Sequence, residues 1–145
     1  MANFLFWNTA KKDLTMEVAR LVQLHDVDML ILAESRGIPA VQLLEAVNAH
    51  PGVDIRFHHV VGQERIRIYS RFPDRAVTQV FDSGGISIRR IHLPGFEEFL
   101  LVAAHLPSKL RWQAGEQQDM CCRLREFIES AETSRGHQRT LVVGI

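Results

Sequence analysis

The sequence predicts an α+β fold in which helices cover mixed, largely antiparallel sheets. Its first part alternates strand and helix patterns, whereas residues 53–101 form short runs of alternating polar and apolar residues separated by glycine and proline, as antiparallel hairpins do. A helical period and one more strand follow. We expect one domain over residues 1–145, because the 46% hydrophobic content is sufficient for a core.

The N-terminal elements are a strand, a helix and a second strand. The apolar run Phe4 to Trp7 predicts a buried strand that ends at Asn8. Apolar residues then recur at helical spacing from Leu14 to Leu24, and Asp13 is placed to cap the first turn. The run Met29 to Ala33 is wholly apolar, which predicts a central strand covered on both faces.

A short second helix, the hairpins and the C-terminal elements complete the pattern. Pro39 suits the first turn of a helix whose apolar positions should pack on the sheet: Val41, Leu44 and Val47. The hairpin strands are expected in the runs VDIRFHHV, RIRIYS, AVTQVF, ISIRRIHL and FLLVAAH. The last helix should bury one face, formed by Met120, Leu124, Phe127, Ile128 and Ala131, before a strand over Thr140 to Val143.

Composition narrows the classes of function. The formal net charge is zero, so no global field attracts nucleic acid or an anionic membrane, and any polyanion must bind locally. The only two cysteines, Cys121 and Cys122, are adjacent and cannot build a long-range disulfide framework, which favours a reducing cytoplasm. No segment approaches the roughly 20 apolar residues that span a bilayer. We therefore expect a cytoplasmic protein with no membrane partner.

Three predicted strands end in polar residues that are able to bind a metal or a phosphate: Asn8, Glu34 and His105. Each has an ordinary alternative: Asn8 as a turn residue that bonds its own backbone, His105 as a partly buried histidine bonded to a carbonyl, and Glu34 as a solvated loop residue. Glu34 is the most informative, because a carboxylate after so apolar a strand is costly to desolvate without a cation or donors.

Basic residues in two predicted strands are a second set of candidates: Arg65, Arg67, Arg89 and Arg90. Arginines on a strand can contact phosphates. We expect them instead to be solvated faces of antiparallel strands. Lys109 is similarly expected to be an exposed loop lysine rather than a phosphate ligand.

The ordered motifs resemble the endonuclease/exonuclease/phosphatase superfamily, which includes exonuclease III and DNase I. The motifs are FLFWN, VDMLILAES, RIYSRFP, FLLVAAHLPSK and LVVG, and they extend in family order through nearly all of the chain. The resemblance implies that the chain forms part of a four-layer αββα sandwich. If it holds, Asn8, Glu34 and His105 should converge at one end of the sheets.

The resemblance also implies a metal-dependent phosphoesterase, of the nuclease or phosphodiesterase type, that uses Mg²⁺ or Mn²⁺. By resemblance Glu34 binds the metal, while Asn8 and His105 are catalytic residues that contact the phosphate of a phosphodiester substrate, with nucleic acid as one option. A cation on a carboxylate offsets the negative charge of the phosphate oxygens. The residues after Ala33 depart from the Gln-Glu-Thr/Ile-Lys of the family's apurinic-site endonucleases, which argues against a dedicated abasic-site enzyme.

The family pattern continues from LVVG into Gly-Asp-x-Asn and later Ser-Asp-His, which supply the group that activates water, whereas Gly144 is followed by Ile145. We therefore expect a C-terminally truncated domain whose active site is incomplete and inactive alone. The alternative is a non-catalytic α+β remnant or partner-binding module. Lost cover should expose apolar strands such as Met29 to Ala33 and Leu100 to Ala104 and leave sheet edges unpaired. The chain should then be marginally stable, prone to self-association through those edges, or dependent on a partner that supplies the absent strands.

Overall fold

The computed structural model describes residues 2–49, 55–106 and 114–144. Within them the α+β class is confirmed, with eight strands and three α-helices. Strands β1 to β8 are Phe4–Asn8, Met29–Ala33, His58–Val60, Ile66–Ser70, Val77–Ser83, Ile86–Ile91, Phe99–Ala104 and Thr140–Gly144. Helices α1 to α3 are Thr15–Leu24, Ala40–Asn48 and Ala114–Arg135. Among the described residues, no helix is both long and apolar enough to cross a membrane.

The strands form two sheets of four. The first has the order β1-β2-β4-β3 and the second the order β5-β6-β7-β8. The β1–β2 and β7–β8 pairs are parallel, and the other neighbours are antiparallel. The parallel β1–β2 register places Asn8 beside Ala33, so these two strands end together.

Three apolar clusters hold four layers together. Helices α1 and α2 cover the outer face of the first sheet, where Val22 packs near Leu30. The inner faces of the two sheets meet through residues such as Ile31 and Leu101. Helix α3 covers the outer face of the second sheet, and Phe127 stacks on the ring of a β5 phenylalanine at 4.1 Å. The described residues therefore build the order helix, sheet, sheet, helix.

The expectation that truncation uncovers the central strands is wrong. Every residue of Met29–Ala33 has no exposed surface, and those of Leu100–Ala104 are at most 3% exposed. The reason is that alternate side chains in β2 face α1 and α2 on one side and the second sheet on the other. Exposed large apolar residues are scattered over other elements, and they include Leu141 at 39% and Val142 at 52% on β8, at the edge of its sheet.

The exposure of Val41 and the burial of two arginines differ from the sequence-based expectations. Val41 is 68% exposed, because the buried face of α2 is formed by Leu43 and Val47, one helical turn apart, and Val41 lies on another side. The arginines are not all solvated. Arg67 is half-buried and donates to the carbonyl of Ile38 at 2.9 Å, and Arg89 is buried.

Arg89 on β6 forms a buried ion pair with Asp82 on β5. Their side chains are 2% and 9% exposed, and the guanidinium donates to the carboxylate. Burial lowers the pKa of Arg89, and the Asp82 carboxylate opposes that shift. The guanidinium also lies against Gly62 in the β3–β4 loop, where any side-chain carbon would overlap it. A charge so buried depends on its partner.

Because Arg89 depends on Asp82, we expect a single and a double substitution of the pair to change the free energy of unfolding by different amounts. Asp82→Ala should lower the free energy of unfolding by about 3–5 kcal/mol, because it leaves a buried guanidinium unpaired. The double variant Asp82→Leu/Arg89→Met should lose less, since no charge remains to be buried. Chemical denaturation of both variants measures the difference. A double variant less stable than Asp82→Ala would contradict the prediction.

Candidate functional site

The ends of β2 and β7 bring Glu34 and His105 together, although the two residues are remote in sequence and belong to different sheets. Nε2 of His105 lies 3.0 Å from Oε1 of Glu34, and the side chains are 14% and 31% exposed. The pair is therefore partly shielded from water while remaining open to a ligand. Two of the three predicted site residues therefore meet directly, whereas the resemblance implied that all three converge at one end of the sheets.

The backbone of Asn8 is close to this pair, because β1 is paired with β2, the strand that precedes Glu34. Asn8 is in register with Ala33, the residue before Glu34. Its Oδ1 accepts a hydrogen bond from the backbone N–H of Ala10 at 2.9 Å, so the turn role offered as the alternative is present. An asparagine amide also carries two N–H donors, which remain available for a second role beside that turn.

The backbone of Glu34 is held in a left-handed conformation, with φ 49° and ψ 38°. Such a conformation costs an L-residue roughly 1–2 kcal/mol. Its carbonyl accepts from Oγ1 of Thr9 at 3.1 Å and from the N–H of Lys11 at 2.8 Å, and its own N–H donates to the carbonyl of Arg65 at 3.3 Å. Three tertiary hydrogen bonds thus impose a backbone that the residue does not favour, as often happens at functional sites.

The β1–α1 loop beside Glu34 shares this strain. Ala10 and Lys11 also have positive φ angles, 50° and 63°. The loop packs on the helical turn Ser35–Gly37, where a side-chain carbon at Gly37 would overlap the carbonyl of Lys11. Glycine at position 37 therefore permits the close approach that fixes Glu34, and its place in the sequence carries no obvious signal of this role.

The loops next to Glu34 carry basic residues despite the neutral net charge. Four exposed basic residues lie in loops that adjoin Glu34 or bond to its backbone: Lys11, Lys12, Arg36 and Arg65. Asp13 and Glu64 in the same loops partly offset their charge. These loops therefore carry more basic than acidic side chains, although the net charge of the chain is zero. Lys109, the other predicted candidate here, lies outside the described residues.

Glu34 is the carboxylate of this site that could bind a metal. Within the residues that the structure describes, no group of three or more His, Cys, Asp or Glu side chains is arranged around a common point. Mg²⁺ commonly uses one or two carboxylates, keeps several waters and completes its shell with substrate phosphates. Glu34 could supply one such carboxylate.

One residue that contacts the site, Gln63, was not predicted from the sequence. Gln63 in the β3–β4 loop donates from Nε2 to the carbonyl of Ile86 at 2.6 Å and accepts at Oε1 from the N–H of Gly85 at 3.1 Å. Gly85 in turn bonds the backbone of His105. A glutamine in a loop is too common to have been selected from sequence.

Comparison with known proteins adds no relative. No family model matches the chain, and no curated protein matches it. The roles of Asn8, Glu34 and His105 therefore stay predictions, supported by the site's own geometry and chemistry.

Replacement of Glu34 should reveal the strain in its backbone. Glu34→Gly and Glu34→Ala both remove the contact with His105, but only glycine adopts the left-handed conformation freely. Glu34→Gly should be more stable than Glu34→Ala by about 1 kcal/mol, as measured by the free energy of unfolding in denaturant. Equal stability of the two variants would show that the left-handed backbone is not retained.

Gly37→Ala should disturb the loop that supports Glu34. Because the added carbon overlaps backbone, we expect a loss of about 1–3 kcal/mol in the free energy of unfolding. The matched control is Gly115→Ala near the start of α3, where nothing lies within 4 Å of the added carbon. That control should be neutral or more stable by up to about 1 kcal/mol. A Gly37→Ala variant as stable as the control would argue against tight packing.

Proposed function

We propose that this chain carries the metal- and phosphate-binding part of the active site of a Mg²⁺- or Mn²⁺-dependent phosphoesterase, of the nuclease or phosphodiesterase type. The observation that carries the proposal is the pairing of Glu34 and His105 across two sheets, at 3.0 Å, beside strained loops. Glu34 binds the cation, which when bound offsets the charge of the phosphate and of the transition state.

The other residues position the phosphate. His105 donates from its imidazole to a non-bridging oxygen, and Asn8 donates from its amide to the phosphoryl group or orients the attacking group. The surrounding lysines and arginines attract an anionic substrate over a short range. The partner we propose is a phosphodiester substrate, with nucleic acid as one member of that class.

A non-catalytic role is the second candidate, and two observations favour it. The Glu34–His105 contact can act as a structural link between the sheets, since each residue ends a strand of a different sheet. The exposed Leu141 and Val142 on edge strand β8 suit association with another strand, including that of a second copy. In this case Glu34 would not bind a metal.

The compartment that we propose is the cytoplasm. Cys121 and Cys122 are free and exposed on α3. Exposed thiols on one helix persist most readily where the surroundings are reducing.

Metal binding distinguishes the two candidates. Mn²⁺ added to the ¹⁵N-labelled chain should broaden amide signals around Glu34, and Glu34→Gln should weaken the binding at least about tenfold, because second-shell changes alone cost 10–100-fold. Glu45→Gln on α2, an exposed carboxylate, is the matched control and should bind as the unmodified chain does. Equal binding by Glu34→Gln and the unmodified chain would overturn the role of Glu34.

The phosphate role has its own test. A dinucleotide should increase the apparent affinity for Mn²⁺ roughly tenfold, because both ligands share the site. In His105→Ala the metal should still bind, but the dinucleotide should no longer strengthen its binding. Enhancement that persists in His105→Ala would remove His105 from phosphate binding.

A further inference from the structure

The β3–β4 loop, residues 61–65, contacts both sides of the Glu34–His105 pair. On one side the carbonyl of Arg65 accepts from the N–H of Glu34 at 3.3 Å. On the other, Gln63 reaches the turn between β5 and β6, which belongs to the second sheet. One short loop therefore links the carboxylate of the first sheet to the part of the second sheet that holds the imidazole.

The amide of Gln63 makes a two-point contact with this turn. Its Nε2 donates to the carbonyl of Ile86 at 2.6 Å, and its Oε1 accepts from the N–H of Gly85 at 3.1 Å. Both ends of the amide are used, so the turn is fixed in orientation as well as position. Gly62, one residue earlier, lies against the guanidinium of Arg89 and gives the loop a second anchor on the same sheet.

A backbone hydrogen bond connects the β5–β6 turn to His105. The N–H of His105 donates to the carbonyl of Gly85 at 2.7 Å. Gly85 has φ +94°, and a side-chain carbon there would lie 2.7 Å from the carbonyl oxygen of His105. The two backbones are thus in the closest approach that glycine allows, and movement of the turn moves the histidine.

We propose that Gln63 is a positioning residue that sets the separation between the Glu34 carboxylate and the His105 imidazole. It touches neither side chain and acts through the β5–β6 turn. The inference rests on the proposed function for its chemical meaning, because the separation matters for binding a metal and a phosphate together. Without the amide, the second sheet's turn is released from the β3–β4 loop and the imidazole moves away from the carboxylate.

The test observes the His105 ring by ¹H–¹⁵N correlation spectroscopy, which needs no metal and no turnover. Gln63→Leu keeps the side-chain volume but removes both hydrogen bonds. Its His105 ring signals should shift towards those of Glu34→Ala, in which the pair is broken. Gln79→Leu, at an exposed glutamine of β5, is the matched control and should leave the ring signals unchanged. Amide signals of α1 and α2 report whether the fold is retained.

A partial variant keeps the test usable if Gln63→Leu does not fold. Gln63→Glu preserves the acceptor for Gly85 but replaces the donor to Ile86 with a carboxylate oxygen, so its ring signals should shift to an intermediate extent. Ring signals in either folded variant that match those of the unmodified chain, while Glu34→Ala shifts them, would overturn the role of Gln63 and leave the proposed function intact. No shift in Glu34→Ala itself would mean that the pair is not formed, and both proposals would fail.

Discussion

The face-to-face packing of the two sheets is the constraint on which the candidate site depends. Glu34 ends a strand of one sheet and His105 a strand of the other, so neither sheet contains the pair by itself. The packing is supplied by apolar side chains of β2, β4, β6 and β7 that are almost entirely buried. Because dense interiors are not continuously deformable, this layer holds the strand ends at a fixed spacing.

Apolar packing alone does not specify how one sheet lies on the other, because burial of apolar area is non-directional. The directional contacts come from the β3–β4 loop, in which Gly62 meets the Arg89 guanidinium and Gln63 bonds the β5–β6 turn. The buried Asp82–Arg89 pair carries a desolvation penalty. Both residues belong to the second sheet, and the pair meets the first sheet's β3–β4 loop where the Arg89 guanidinium lies against Gly62.

Sequence patterns predicted the elements with a simple apolar pattern, such as the wholly apolar β2 and the apolar stripe of α3. Glu34 and His105 were selected differently, as polar residues at strand ends within motifs that resemble a known family. Arg89 could not be placed from sequence, because its partner Asp82 lies on the neighbouring strand, in a hairpin whose register also shifts between Gln79 and Phe81. The left-handed backbone of Glu34 likewise arises from tertiary hydrogen bonds that have no local signature.

The contact with His105 is too weak to account for the strained backbone of Glu34. A partly exposed pair of this kind, even with a protonated imidazole, contributes about 0–1 kcal/mol to stability. The left-handed backbone costs roughly 1–2 kcal/mol, and glycine at position 34 would remove that cost while keeping the loop's hydrogen bonds. The contact with His105 therefore does not offset the strain that the three hydrogen bonds of the Glu34 backbone impose. Stability alone would favour glycine at position 34, and a strained backbone often accompanies a functional side chain.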